Sequence, residues 1–132
     1  MAICLSVTRD VYSDVEEYLA STDAPHVGRI VLLSPERGPS PQSIHGADDA
    51  YQLALQLPTV LSSARPNHHA RAHIFFACPN SLMFFIGQQR EALGRLMLYE
   101  FDFALERNEL YLQSFLLPIS PYEGWQSSGD TK

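Results

Sequence analysis

The chain has 132 residues and a mass of 14.8 kDa, which is the size of one domain with a sizeable core. Its hydrophobic content of 45% and charged content of 18% are ordinary globular values, so they exclude a disordered chain and a fibrous repeat. Fifteen acidic residues against nine basic ones give a formal charge of -6, which excludes a broad basic surface for sequence-independent binding of DNA or RNA.

The sequence pattern indicates neither a membrane span nor a secretory signal. The longest uncharged apolar run, residues 74–86, is interrupted by a Pro-Asn-Ser step. The N-terminus has no basic flank and no small-residue cleavage site. We therefore expect a cytoplasmic protein with no membrane partner, whose two cysteines, Cys4 and Cys78, are reduced thiols.

Strand and helix patterns alternate along the first third of the chain. Residues 2–7 alternate in the manner of a strand. From Val11 the apolar residues recur with helical spacing, and we expect Asp10 to cap this helix. The run Ile30–Leu33 is apolar throughout, which is typical of a parallel strand that is covered on both faces.

A proline- and serine-rich stretch separates this strand from a second helix. Residues 34–46 show no periodicity and predict a long loop, a kind of segment that is often functional. The helix is predicted over residues 48–64, with a kink at Pro58. Its inward face is expected to carry four large apolar residues and two alanines: Leu53, Leu57, Val60, Leu61, Ala50 and Ala54.

The second half of the chain predicts one more strand–helix unit and a final pair of strands. Residues 73–77 form a short apolar run between breakers and predict a central strand. A helix follows Pro79, with Asn80 or Ser81 expected as its N-cap. Residues 96–101 and 110–116 predict two antiparallel strands, and residues 119–132 a polar tail.

This order of elements predicts an α/β fold in a single domain over residues 1–118. Right-handed crossovers between successive strands give a Rossmann-like sheet that is open and mostly parallel. We expect helices on both of its faces and an antiparallel hairpin at its C-terminal end.

Polar side chains follow each predicted parallel strand. In such sheets, ligands lie beyond the carboxyl ends of the strands, where loops and helix N-termini meet. Hydroxyls, one guanidinium and free helix amides there suit a phosphate or the edge of a nucleobase. The alternative is that Asn80 and Ser81 are only helix caps and that Arg9 is only solvated. The candidate ligand-binding residues are Thr8, Arg9, Ser34, Ser43, Pro79, Asn80, Ser81 and Tyr99.

Several stretches of the chain, taken in order, resemble a known sensor family. They are SVTRDV at 6–11, AHIFFACPNSLMFFIG at 72–87, LYE at 98–100 and the segment 110–118. Together they closely resemble the C-terminal, CARF-like half of a SAVED domain, over nearly the whole chain. SAVED domains are sensors of bacterial antiphage systems, such as CBASS and type III CRISPR, that recognise cyclic oligonucleotides and switch on an effector.

The resemblance implies a noncatalytic module, without cofactor or metal, that binds a cyclic oligonucleotide and regulates an antiviral effector through oligomerisation. Thr8 and Arg9 would lie beside the ligand, the turn 79–81 against a phosphate or base, and Tyr99 beside a base. A full SAVED domain resembles two such halves, whereas this chain has room for one. We therefore expect a second half from another copy or a partner chain, and an effector protein or domain.

Other classes of function are open at this point. Cys78 stands in a Cys-x-x-Ser step at a strand–helix junction, where a helix N-terminus would lower the pKa of its thiol and permit a thiol-dependent enzyme. Against this, no second cysteine could resolve a disulfide. His68, His69 and His73 do not complete a metal site, because no cysteine or carboxylate joins them. A scaffold subunit that oligomerises without its own ligand shares every predicted fold feature.

Overall fold

Five strands and four helices account for the regular structure in a computed structural model, which describes residues 1–67, 69–102 and 110–118. The predicted tail, residues 119–132, lies outside the described residues. The elements in chain order are β1 (Ala2–Ser6), α1 (Tyr12–Leu19), β2 (Ile30–Leu33), α2 (Ala47–Ala64), β3 (Ala72–Ala77), α3 (Asn80–Gln88), α4 (Arg90–Leu93), β4 (Leu96–Phe101) and β5 (Tyr111–Leu117). In the described part of the chain, no helix is long and apolar enough to cross a membrane.

The strands form one sheet in the order β2-β1-β3-β4-β5. The first four are parallel, and β5 pairs with β4 in the antiparallel sense. The α/β fold, the open mostly parallel sheet, the C-terminal antiparallel pair and the central place of β3 are therefore confirmed. The expectation that the second strand is covered on both faces is wrong. Strand β2 lies at the edge of the sheet, where Leu32 is 46% exposed.

The two faces of the sheet carry different helices. Because side chains alternate along a strand, Ile3 and Leu5 point to one face and Cys4 to the other. The face of Ile3 packs against α2, α3 and α4, and the face of Cys4 packs against α1. We call these the α2 face and the α1 face.

The buried side of α2 agrees with the prediction for four of the six residues expected to face inward and differs for Leu53 and Val60. Its buried residues are Ala50, Ala54, Leu57 and Leu61, whereas Leu53 is 39% exposed. Both alanines belong to this stripe, so the helix turns its small residues to the sheet and leaves Leu53 at the side. The helix continues through Pro58 to Ala64.

The start of α3 also differs by one residue from the prediction. Pro79 occupies the N-cap position in an extended conformation, and neither Asn80 nor Ser81 does. Proline suits this place because its fixed φ matches the extended backbone before the helix, at -62° here. As a result Asn80 and Ser81 are the first two helical residues, and both are exposed.

Candidate functional site

The carboxyl ends of β1 and β3 lie side by side in the sheet. The amides of Val7 and Thr8 both donate to the carbonyl of Ala77, at 3.0 and 2.9 Å. The chain leaves β1 toward β2 and leaves β3 toward β4, so the two connections diverge at this point. Open α/β sheets bind ligands where the connections diverge in this way. We call the ends of β1 and β3, with Thr8, Arg9, Asn80 and Ser81, the β1–β3 rim.

A buried hydroxyl organises the turn that carries Thr8 and Arg9. The Ser6 side chain is 0% exposed; its Oγ accepts from the amide of Val11 at 3.0 Å and donates to Asp10 at 3.3 Å. The same Asp10 oxygen accepts from the amide of Tyr12 at 2.9 Å. Asp10 therefore bonds the start of α1 as expected, although the N-cap position itself is Val11. These bonds hold the turn, so Thr8 and Arg9 project from a fixed backbone.

Arg9 is on the surface beside the α1 face. Its guanidinium forms an ion pair with Asp14 at 3.1 Å and lies over the ring of Phe101 at 4.9 Å from the centroid. The side chain remains 45% exposed. The cation is thus oriented by two neighbours and is still accessible to an anion from solvent.

Helix α3 points its N-terminus at the same rim. The amides of Leu82 and Met83 donate to the carbonyl of Pro79, at 3.1 and 3.3 Å. Among the described residues, no hydrogen bond satisfies the amides of Asn80 and Ser81. Two free amides at the positive end of a nine-residue helix form a favourable place for an anion.

The long loop crosses the end of β1 and extends the rim toward β2. The Ser40 amide donates to the carbonyl of Val7 at 3.0 Å, and the Ser43 amide donates to the carbonyl of Ser40 at 3.0 Å. The Ser34 and Ser43 side chains do not meet Arg9. They line a neighbouring cleft of about 470 Å³ between β2, α2 and α3, which we call the α2 cleft.

Tyr99 does not lie at the rim. Its side chain is 1% exposed, its ring stacks on Phe75 at 4.3 Å, and its hydroxyl hydrogen-bonds His73 Nδ1 at 2.9 Å. Burial raises the pKa of Tyr99 to about 12. The expectation that Tyr99 flanks a base is therefore corrected: it is a core residue of the α1 face.

The environment of Cys78 contradicts the lowered pKa that a thiol enzyme requires. Cys78 is half-buried and packs against the core of the α2 face. Burial raises the pKa of its thiol to about 12, so the thiolate is scarce at neutral pH.

Among the histidines considered as metal ligands, His73 has a ring contact with the core, and His69 lies on an exposed turn. His73 is the partner of Tyr99, and the His69 amide donates to Asn67 on an exposed turn. His68 lies outside the described residues. Across residues 1–67, 69–102 and 110–118, no three His, Cys, Asp or Glu side chains group as metal ligands would.

Three further polar residues of the site were not predicted from the sequence. Asp49, Gln52 and Gln56 line the α2 cleft. Because these residues are spaced by three and four, they lie on one side of α2. This spacing in the sequence is the signal by which they could have been found. This spacing alone indicates only a solvent-exposed side of a helix. It does not show that a cleft lies beside that helix.

Two comparisons with known proteins agree with this architecture. The family model of SAVED, the SMODS-associated and fused to various effectors sensor domain, matches residues 1–114. CD-NTase-associated protein 4 from Enterobacter hormaechei subsp. hoffmannii (strain UCI 50) is 35% identical over 115 residues, covering 87% of this chain. The matched part is 23% of that protein, so the chain spans about a quarter of its relative's length. Because the family model matches most of its residues, the chain, which folds as one α/β domain, belongs to the SAVED family of sensor domains.

Proposed function

We propose that this sensor domain is noncatalytic, binds a cyclic oligonucleotide at the β1–β3 rim, and regulates an antiviral effector through its state of assembly. One observation carries the proposal: a guanidinium, that of Arg9, and two unsatisfied helix amides, those of Asn80 and Ser81, belong to the same end of the sheet. Both groups suit phosphate oxygens, the arginine by a charged fork and the helix by its dipole.

The overall charge supports a small ligand rather than a long nucleic acid. A formal charge of -6 repels a polyanion, whereas a ring of a few nucleotides needs only local contacts. Thr8 beside Arg9 adds a hydroxyl that donates or accepts at a phosphate or sugar oxygen. We assign no ligand contact to Tyr99.

Exposed aromatic residues support pairing with a second SAVED or CARF-like half, from another copy or a partner chain. Phe84 is 65% exposed in the middle of α3, and Tyr51 is 41% exposed near the beginning of α2. Phe85 links them, with ring centroids 5.6 Å from Phe84 and 5.5 Å from Tyr51. Adjoining apolar side chains on a surface are typical of an interface. A ring with repeated phosphates suits two related surfaces that face each other.

The signal would be a shift between assembly states. A ligand moves such an equilibrium only when it binds one state more tightly, and a ring held between two rims does so. We assign the output to an effector protein or domain in a signalling system of the CBASS or CRISPR type. The name of the CD-NTase-associated relative supports this context.

Calorimetry with cyclic di-, tri- and tetranucleotides tests the proposal. We expect at least one ring to release heat. We expect Arg9→Ala, which removes the guanidinium, or Asn80→Pro, which removes a free amide at a helix position that tolerates proline, to weaken its binding by about 1–3 kcal/mol, the value of a bond to a charged group. Arg29→Ala is the matched control, because Arg29 is an exposed arginine that precedes β2 at the opposite end of the sheet. The absence of heat with every ring, in the paired protein, would refute the sensor.

A ligand-free scaffold is the second candidate, and the exposed Phe84 favours it as well. Light scattering with and without the binding ring separates the two. A size that changes with the ring supports the sensor, and a size that ignores every ring supports the scaffold. Phe84→Glu should dissociate the assembly in either case, because a charge in that apolar contact is left without a partner.

A further inference from the structure

We propose that three arginines at the amino end of the sheet, Arg65, Arg71 and Arg95, form a docking surface for an acidic segment of the effector. We call them the arginine cluster. This inference rests on the proposed function, because it assigns to the effector a surface that is separate from the β1–β3 rim. The expected occupant is a short protein segment that carries several carboxylates.

The charges of the chain are segregated along the sequence. All fifteen acidic residues lie outside residues 51–90, although the chain as a whole has a formal charge of -6. This acid-free stretch contains Arg65 and Arg71, and Glu91 is the one acidic residue between it and Arg95. A positive region is thus present in a protein that is acidic overall.

The fold brings the three arginines to one end of the sheet. Arg65 is the C-cap residue of α2, and Arg71 and Arg95 directly precede β3 and β4. The amide of Ala72 donates to the carbonyl of Arg95 at 2.9 Å, so the starts of these two parallel strands are adjacent. The rim lies at the other end of β3, a strand of six residues, which places it about 20 Å away.

Backbone carbonyls hold two of the three guanidiniums in place. Arg65 Nη2 donates to the carbonyls of Leu93 and Arg95, at 2.7 and 3.3 Å. Arg95 Nη1 donates to the carbonyl of His69 at 3.3 Å, and the side chain of Arg95 is otherwise exposed. A carbonyl orients a guanidinium without neutralising it, so the positive charge remains to be balanced by an anion.

The cluster has no counter-charge of its own. Among the residues that the structure describes, no carboxylate forms an ion pair with any of the three arginines. The Nε atoms of Arg65 and Arg71 are buried and have no hydrogen-bond partner there. The positive charge also reaches the core, because burial, followed by the charges of the N-terminal amine and Arg71, lowers the pKa of His73 to about 4. A carboxylate from a partner would supply the missing counter-charge.

The spread of the cluster and the net charge of the chain favour a short acidic segment over other anions. The three arginines come from the end of one helix and the starts of two strands, so they suit an anion with several charges along its length. A long nucleic acid is such an anion, but a formal charge of -6 repels it. Carboxylates of a protein segment match the guanidinium fork and bring fewer charges. In the CD-NTase-associated relative the matched part is 23% of the protein, so there a domain of this kind is joined to a much longer chain.

Fluorescence anisotropy with labelled hexaglutamate and hexaglutamine peptides tests the docking surface. At about 0.1 M salt, where distant charges are screened, we expect hexaglutamate to bind the protein about 10-fold more tightly. Arg71→Gln and Arg95→Gln should each weaken hexaglutamate binding by about 3-fold, the size expected for one surface ion pair. Arg37→Gln is the matched control, because it removes the same charge from an exposed arginine in the loop after β2 and should leave the binding unchanged.

NMR spectra of the arginine Nε–H groups locate the contact without any variant. The Nε atoms of Arg65 and Arg71 are shielded from solvent, so their protons exchange slowly and give observable signals. On addition of hexaglutamate, we expect the Nε–H signals of the cluster to shift and that of Arg37 to stay in place. Signals of the cluster that do not move while the peptide binds would overturn the proposal.

A labelled oligothymidylate is the competing probe. Tighter binding of oligothymidylate than of hexaglutamate, with the same loss in Arg71→Gln, would overturn the acidic segment in favour of a nucleic acid. Equal binding of hexaglutamate to Arg71→Gln and Arg37→Gln would overturn the arginine cluster. Both results leave the sensor intact, since we expect Arg71→Gln to keep the thermal unfolding temperature and the ring affinity of the unchanged protein. Failure of every ring to bind overturns the sensor, and with it the assignment of this surface to an effector.

Discussion

The two faces of the sheet differ in how completely they are filled. On the α1 face, one helix of eight residues covers a cluster of aromatic rings, in which Tyr18 meets Phe75, Tyr99 and Tyr111 edge-on at 5.7–5.8 Å. On the α2 face, three helices and aliphatic side chains leave a cleft of about 470 Å³ beside the rim. The comparison teaches that the α1 face is closed by packed aromatic rings, while the α2 face combines a buried aliphatic core with an open cleft.

Truncation of the central aromatic ring of the α1 face should give the largest difference in stability between the two faces. Phe75 is 0% exposed and stacks on Tyr99, so Phe75→Ala removes its contacts and leaves a cavity. We expect the free energy of unfolding to fall by about 3–5 kcal/mol in urea titrations at neutral pH. Val60→Ala, in the wall of the cleft, should cost about 1 kcal/mol or less, because one side of Val60 already lacks neighbours. Equal losses in the two variants would contradict the difference between the faces.

Acidification should weaken the fold through His73, which bonds the aromatic cluster of the α1 face. Burial, then the positive charges of the N-terminal amine and Arg71, lowers the pKa of His73 to about 4 from an ordinary value of 6.5. Between these values the unfolded chain binds a proton that the folded chain does not. Stability is therefore lost as the pH falls through 6.5 and onward to about 4, by about 1–3 kcal/mol after allowance for partial solvent exposure.

A variant without the imidazole isolates this contribution. Urea titrations of His73→Asn at several pH values should show a smaller loss of stability between pH 6.5 and 4 than the unchanged protein. The same loss in both proteins would assign the pH dependence to carboxylates instead.

The rates at which the two cysteines are alkylated provide a second comparison of the faces. Cys4 is fully buried on the α1 face, and Cys78 is half-buried on the α2 face. Burial raises the pKa of both thiols to about 12. With iodoacetamide at pH 8, we expect Cys78 to react at least about tenfold more slowly than free cysteine, and Cys4 only after unfolding. Rapid reaction of Cys78 would support the alternative that the protein is a thiol-dependent enzyme.

Removal of single hydroxyls gives the smallest and most local comparison, within the α1 face itself. Tyr99→Phe takes away the partner of His73 and should cost about 1 kcal/mol. The buried Tyr111 hydroxyl has no hydrogen-bond partner in the described part of the chain. Tyr111→Phe should therefore leave the thermal unfolding temperature unchanged or raise it slightly. A clear loss from Tyr111→Phe would show that this hydroxyl has a partner.

The order of strands and helices along the chain could be predicted from local patterns, whereas the neighbours of each strand in the sheet could not. Alternation at 2–7 and the apolar run at Ile30–Leu33 indicated strands, but an apolar run does not reveal how many strands pair with it. Leu32 was expected to be covered and is at an open edge. The edge position depends on the direction in which the chain crosses after α1, which no local pattern records.

The site was predictable to the extent that it depends on strand ends. Thr8, Arg9, Asn80 and Ser81 were placed at the rim because parallel strands end on the same side of a sheet. Tyr99 was misplaced, since the side to which its ring turns depends on how β4 pairs with β3. The α2 cleft was missed, because it arises from the sideways position of α2, which buries Ala54 rather than Leu53.

The open edge of β2 matters for handling the protein. In the described chain, no strand pairs with its outer side, so free backbone N–H and C=O groups stand next to the exposed Leu32. Such an edge is a template on which other molecules can add strands, so we expect self-association at high protein concentration. A lysine at position 32 would act as a gatekeeper there, because each added molecule would have to accommodate its charge.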